Sequence, residues 1–366
     1  MWHENRTNRF KAKKVGIVTL FGRFNYGNRL QNYAVAQIWQ EFGYWPETLV
    51  LAERPNAVRS LKRTAKLILG KREPPSPEMD MSIERLAAFD RFNRSISIRK
   101  LDSIENDLLN QYSYFSVGSD QVWNPGMMKY NEDWFFLEFA RPEQRIALAP
   151  SIGVNTLSTR ESRRLAKGVK GFECLSIREE RGAELIKQCS GRNAEVICDP
   201  TLVLNPNDWR QIADGRFTPK EPYVFAYLLG DLSEDARYVL DEVTNSGKRP
   251  VIYLSDRDKA EELPVGPAEF IDLVDHAEHV ITDSFHAAVF SCMFETPLTI
   301  VRRGGSGSGM FSRLETLAHT LGIEKKLFGD EAFNLYRADD YQSMSDRISL
   351  VRDSFMEYLE SALDGR

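Results

Sequence analysis

Short apolar runs alternate with longer amphipathic stretches along most of the chain. Val15-Gly16-Ile17-Val18-Thr19-Leu20 is apolar enough for a strand buried on both faces, and a glycine-bearing loop then leads into a helix from about Arg29 to Phe42. Thr48–Leu51, Tyr114–Gly118, Arg145–Ala149, Cys174–Ile177 and Val196–Leu204 read as further strands, with a helix near Ser82–Ser95 and another after Arg178. The pattern resumes with strands at Tyr223–Leu229, Val251–Leu254, Val280–Ile281 and Leu298–Val301. Between them lie helices near Ser233–Thr244, Ala268–Ala277 and Phe285–Phe294, and a long surface helix closes the chain near Asp340–Ala362. Strand and helix in this alternation predict an α/β chain of two doubly wound, Rossmann-like halves facing a cleft. Asn205-Pro206-Asn207-Asp208 reads as a hinge, dividing the chain into residues 1–205 and 206–366.

Composition narrows the function classes. A length of 366 residues suits two domains, and a formal charge of -5 gives no reason to expect a nucleic-acid partner. No run of about 18 apolar residues is present, so the expectation is a chain that neither spans a membrane nor is secreted. Cys174, Cys189, Cys198 and Cys292 lack metal-binding spacing and read as reduced core residues of a cytoplasmic protein. One segment departs from the balance: Arg54 to Arg72 carries seven basic and no acidic residues, with apolar positions at helical spacing. Such a stretch suits peripheral contact with the inner membrane face, and equally a solvated basic helix face.

The candidate chemistry sits where strands run out. His286 falls in the first turn of the Phe285–Phe294 helix, after the polar turn Thr282-Asp283-Ser284. Free backbone N–H groups and the positive end of the helix dipole make that turn, with Ser284, suited to an anion, and a histidine merely packed under a loop fits the same residues. Arg178 emerges from another strand and can grip a carboxylate or phosphate with two prongs, or equally form a salt bridge to Glu179 or Glu180 on a neighbouring turn. Arg302, Arg303 and Arg313 bracket a glycine-serine loop able to supply further positive charge. Gly27 and Asn28 permit close backbone approach at a helix start. Asp120, Gln121 and Asn124 are placed to orient sugar hydroxyls and Trp123 to stack on a sugar ring. Asp120 serves equally well as a turn cap, and Trp123 as a core residue.

Taken together, several stretches resemble the polysaccharide pyruvyl transferase family. They are Tyr26-Gly27-Asn28-Arg29-Leu30-Gln31-Asn32-Tyr33-Ala34, Val117-Gly118-Ser119-Asp120-Gln121-Val122-Trp123-Asn124, Ala149-Pro150-Ser151-Ile152-Gly153, Ser176-Ile177-Arg178-Glu179-Glu180, Cys198-Asp199-Pro200-Thr201, Gly266-Pro267-Ala268-Glu269-Phe270, Thr282-Asp283-Ser284-Phe285-His286 and Ser312-Arg313-Leu314-Glu315. The resemblance implies a GT-B-like fold, with an N-terminal acceptor side and a C-terminal donor side. It also implies transfer of the enolpyruvyl-derived group of phosphoenolpyruvate to a sugar of a cell-surface or exopolysaccharide precursor, such as a lipid-linked saccharide, giving a pyruvate ketal with no cofactor or metal. By position, His286 corresponds to the acid/base histidine and Arg178 to a donor-binding arginine. Ser284 stands where some branches carry a basic residue, which shifts donor contacts toward Arg302, Arg303 and Arg313. A GT-B glycosyltransferase using a nucleotide sugar, or a non-catalytic glycan-binding relative, is the competing expectation.

Overall fold

The computed structural model describes residues 13–21, 25–52, 81–105, 107–128, 131–230, 232–245, 247–255, 262–304, 311–335 and 340–364. The basic segment 54–72 lies outside them.

Strand β1 (Lys14–Val18) leads into helix α1 (Tyr26–Glu41), which starts three residues before the expected Arg29. The cause is Asn25, whose side chain caps the helix by accepting the Asn28 N–H at 3.0 Å. Next come β2 (Trp45–Leu51), α2 (Ile83–Asn93), β3 (Ile98–Leu101), β4 (Tyr114–Val117) and β5 (Arg145–Ala147). These five strands form one parallel sheet in the order β3-β2-β1-β4-β5. Pro46 is accommodated in β2 because pairing with β3 begins only at Thr48.

Helix α3 (Thr159–Val169) starts from a capping box in which Ser158 and Glu161 bond each other's backbone N–H. It precedes β6 (Ser176–Ile177), α4 (Glu180–Ser190) and β7 (Glu195–Val196), whose strands make a small parallel pair. The strand expected over Val196–Leu204 is therefore almost absent. Asp199 caps and Pro200 opens a 3-10 turn over Pro200–Leu202, where proline has no N–H for a ladder. Asn205–Asp208, read above as a hinge, forms the capped start of a short helix, Pro206–Gln211.

The second large sheet follows from β8 (Val224–Leu228), α5 (Glu234–Val243), β9 (Val251–Ser255), α6 (Pro267–Asp275), β10 (His279–Thr282), α7 (Phe285–Phe294) and β11 (Leu298–Ile300). It is parallel throughout, in the order β11-β10-β8-β9. Every residue of α7 is buried, so its all-round apolar sequence belongs to a core helix. Helix α8 (Ser312–Leu321) and helix α9 (Tyr341–Asp364) complete the chain. The inner face of α9 returns to the first sheet, where the Tyr358 hydroxyl donates to the Ala147 carbonyl at 2.7 Å.

The α/β, GT-B-like architecture of two Rossmann-type sheets is thus present, and the two sheets share a core. Tyr26, in the first turn of α1, stacks on Phe270 of α6 at 4.8 Å, meets Tyr227 of β8 edge-on at 5.5 Å, and donates to the Val265 carbonyl at 2.8 Å. Burying one such ring is worth roughly 1.5–3 kcal/mol. Helix α2 crosses the same boundary through Arg85, which donates to the Ser255 carbonyl at 2.6 Å, and through Arg91, 2.8 Å from Glu269. The carboxyl edges of the sheets are held face to face as a result.

Candidate active site

The start of α7 is built by the turn that precedes it. Thr282 donates to the Tyr227 carbonyl at 2.6 Å and accepts the Ser284 N–H at 3.0 Å, while Asp283 accepts the N–H groups of Leu229 and Gly230 at 2.7 and 3.2 Å. These bonds lock the ends of β8 and β10 together. Ser284 caps α7 without a side-chain bond to the helix, leaving first-turn N–H groups for another acceptor. His286 is buried in that turn, with Nδ1 against the backbone of Gly27 in α1. A Cβ at position 27 would lie 2.1 Å from Nδ1, so the close approach expected of this glycine is made to the imidazole.

Arg178 meets His286 through a third residue. Its Nη1 donates to Oδ2 of Asp199 at 2.6 Å, and His286 Nε2 lies 3.6 Å from that same oxygen. The guanidinium rests over the Phe285 ring at 4.5 Å, and its Nη2 is 3.6 Å from Asp120 Oδ1. Burial works against the charge on Arg178, but Asp199, Asp120 and Glu179 outweigh it and push its pKa upward. Burial likewise works against an ionised Asp199. The imidazole of His286 beside it, then the charge of Arg178 and the Thr201 N–H, hold it well below the usual carboxylate range.

Of the three loop arginines, Arg313 joins this cluster. It is buried in the first turn of α8, 5.9 Å from the Phe285 ring centre, and burial together with the charge of Arg178 lowers its pKa to about 10. The other two lie elsewhere. Arg303 is spent on Asp283, contacting Oδ2 at 3.2 Å and the carbonyl at 3.4 Å, and Arg302 is exposed, 3.8 Å from Glu315.

The expected acceptor residues separate in the same way. Trp123 is buried in the first half's core, stacks on Phe136 and donates to the Phe135 carbonyl at 3.0 Å, so it offers no face to a sugar. Asn124 bonds Gln121 at 2.9 Å and receives the Gly126 N–H at 2.9 Å, which makes the pair a loop brace. Asn28 ties α1 to the Leu20 carbonyl at 3.2 Å. Only Asp120 reaches the cluster, while its Oδ1 also accepts the Gln121 N–H at 2.8 Å.

Of two further carboxylates in the cluster, sequence reasoning misses Asp199 and reaches Glu179 only as a salt-bridge partner for Arg178. Asp199 is the junction described above. Glu179 accepts the N–H groups of Ile152 and Gly153 on Oε1 at 2.8 and 3.0 Å, and Oε2 has no hydrogen-bond partner among the described residues. Both stand inside the family-like motifs, and an aspartate before proline is a capping signal at odds with a continuing strand.

The chemical character follows from unmade bonds. Arg178 Nε and Nη2, Arg313 Nε and His286 Nε2 are all buried and have no hydrogen-bond partner among the described residues. Leaving such a group unpaired costs about 1–3 kcal/mol, more when charged. The Nε–Nη2 edge of Arg178 is a planar fork that matches a carboxylate or phosphate. Two guanidiniums, an imidazole and a helix start together suit a small anion with more than one acidic group.

A family model for polysaccharide pyruvyl transferases matches residues 25–304. No curated protein sequence matches significantly. Among solved structures, the S. aureus MnaA–UDP complex aligns at 10% identity and a TM-score of 0.48, covering 96% of this chain and 97% of that one. The UDP-GlcNAc 2-epimerase of Neisseria meningitidis, bound to UDP-GlcNAc, aligns at 9% identity and 0.45, covering 96% and 94%. A variant of the wall teichoic acid polymerase TagF aligns at 10% identity and 0.43, covering 95% and 90%.

Proposed function

The chain belongs to the polysaccharide pyruvyl transferase family and is a transferase, and on that premise we propose that phosphoenolpyruvate is its donor and a sugar of a cell-surface or exopolysaccharide precursor its acceptor. The observation that carries this reading is that the Nε–Nη2 edge of buried Arg178 and Nε2 of buried His286 make no hydrogen bond among the described residues, although both groups flank the same oxygen of Asp199. Phosphoenolpyruvate is small and carries a carboxylate and a phosphate. One of these seats on the Arg178 fork, and the other is met by Arg313 and the first turn of α7.

Ketal formation then needs three proton movements. One acceptor hydroxyl loses its proton as it attacks C2 of the donor, the methylene carbon takes up a proton, phosphate leaves, and a second hydroxyl of the same sugar closes the ketal with loss of its own proton. His286 handles one of these protons, a role worth about 10²–10⁴-fold in rate. Arg178 and Arg313 favour departure of phosphate by stabilising the charge it carries away.

Among the described residues no helix is long and apolar enough to cross a membrane. We place the enzyme in the cytoplasm at the inner membrane face, where a lipid-linked acceptor lies and the basic segment 54–72 can meet anionic lipid. The direct test of function is mass spectrometry of candidate acceptors incubated with phosphoenolpyruvate. A gain equal to pyruvate less one water, with release of phosphate, supports the reading. Donor consumption by hydrolysis alone, with no such product across acceptor classes, contradicts it.

A further inference from the structure

Asp199 holds the centre of the cluster by virtue of how its two oxygens are divided. Oδ1 is spent locally, accepting the Thr201 N–H at 3.0 Å and the Thr201 hydroxyl at 2.7 Å. That fixes the carboxylate plane, and the ring of Pro200 limits the backbone that carries it. Oδ2 is therefore presented in one direction. It receives Arg178 Nη1 at 2.6 Å, lies 3.1 Å from the Ser119 hydroxyl and 3.6 Å from His286 Nε2. Ser119 follows β4, Arg178 follows β6 and His286 follows β10, so one oxygen touches segments from all three sheets.

We propose that Asp199 is a positioning residue of this transferase: Oδ2 fixes the imidazole of His286 and the guanidinium of Arg178 relative to one another and stabilises the protonated imidazole. The inference rests on the donor site described above and deepens it. A purely structural role explains less. A buried ion pair is often no more stable than apolar residues of the same volume, so the fold alone gives little reason to place a carboxylate here. What the carboxylate does supply is register between a donor-gripping cation and a proton-carrying ring. A shift of about 1 Å in such a pair can cost on the order of 10²-fold in rate.

The charged and titratable groups around it come from every neighbouring element. They are Arg178 after β6, Asp120 after β4, Glu179 at the head of α4, Arg313 in α8, His286 in α7 and, beside Asp199 itself, Cys198 with Arg352 of α9. None of the cations but Arg178 bonds the carboxylate directly, so removing its charge acts on Arg178 and His286 first.

The test is Asp199→Asn, which keeps the shape and an acceptor oxygen while removing the charge. Two readouts are taken on folded protein: the ring-nitrogen NMR titration of His286, and the pH profile of turnover with phosphoenolpyruvate and acceptor. With the carboxylate charge 3.6 Å from Nε2 removed, the His286 titration, and the limb of the profile that coincides with it, should move to lower pH. Turnover at saturating substrate should fall about 10²-fold while KM for phosphoenolpyruvate rises. A titration and profile superimposable on the wild type overturn the proposal, even if the melting temperature drops. Should Asp199→Asn not fold, Thr201→Val removes a donor to the carboxylate and leaves its charge. The His286 titration should then move to higher pH, and an unmoved titration overturns the proposal. Wild-type protein that does not turn over phosphoenolpyruvate sinks the donor reading instead, and the NMR titration still decides the role of Asp199.

Discussion

Gly27 and His286 touch without any side chain between them: the imidazole Nδ1 lies where a Cβ on residue 27 would be, 2.1 Å away. The first turn of α1 from one sheet is therefore pressed against the first turn of α7 from the other. Gly27→Ala should push the ring off its place beside Asp199. Turnover should then drop by about 10-fold or more, with destabilisation of about 1–3 kcal/mol, checked by activity assay and chemical unfolding. Wild-type turnover would mean that the ring position is immaterial.

Arg178 is the cation closest to Asp199 and, on the proposed reading, the anchor of the donor. Arg178→Lys keeps a charge near Asp199 but removes the planar fork, so KM for phosphoenolpyruvate should rise by about 10-fold or more with a modest change in melting temperature. Arg178→Ala leaves the buried Asp199 carboxylate without its closest cation and should cost about 3–5 kcal/mol in chemical unfolding.

His279, at the start of β10, gives a separate pH dependence. Its ring faces the Thr299 hydroxyl at 2.9 Å, and burial, with Lys326 and Arg249 nearby, lowers its pKa to about 4. The unfolded chain binds this proton near pH 6.5 and the folded one only near 4, so between those values stability rises with pH. The contribution is complete above about pH 6.5 and is lost as pH falls toward 4. Melting temperatures of the wild type should therefore fall more steeply over that window than those of His279→Gln. Parallel curves would remove His279 as the cause.

The basic segment 54–72 makes a prediction of its own. Sedimentation with vesicles containing anionic lipid should decrease when its lysines and arginines are neutralised, and should weaken with salt. Binding unchanged by neutralisation would assign the charges to solvent alone.

The sequence revealed elements wherever local signals agreed. At β10 and α7 an apolar strand, a polar turn, an apolar run and Pro297 as a stop all point the same way, and the helix ends at Phe294 as those residues require. The signals conflict at Val196–Leu204: apolar runs at both ends suggest a strand, whereas Asp199-Pro200 caps and turns, and the turn prevails. That conflict hid Asp199, because its importance lies in contacts with Ser119 and His286, 80 residues before it and far beyond it in the chain. Spacing could not sort three nearby arginines either. Only packing places Arg313 inside, Arg303 on Asp283 and Arg302 at the surface. An aromatic residue next to polar neighbours suits a sugar or a core equally, and for Trp123 the waiting Phe135 carbonyl decides it.

The central claim is that Arg178 and His286 share one site for phosphoenolpyruvate, and ligand-dependent melting tests it most directly. Phosphoenolpyruvate at about 100 times its dissociation constant should stabilise the wild type by about 2.7 kcal/mol. The shift should fall to about half or less in Arg178→Lys and should shrink in His286→Ala, and nucleotide sugars should give none. A shift with a nucleotide sugar and none with phosphoenolpyruvate would contradict the account.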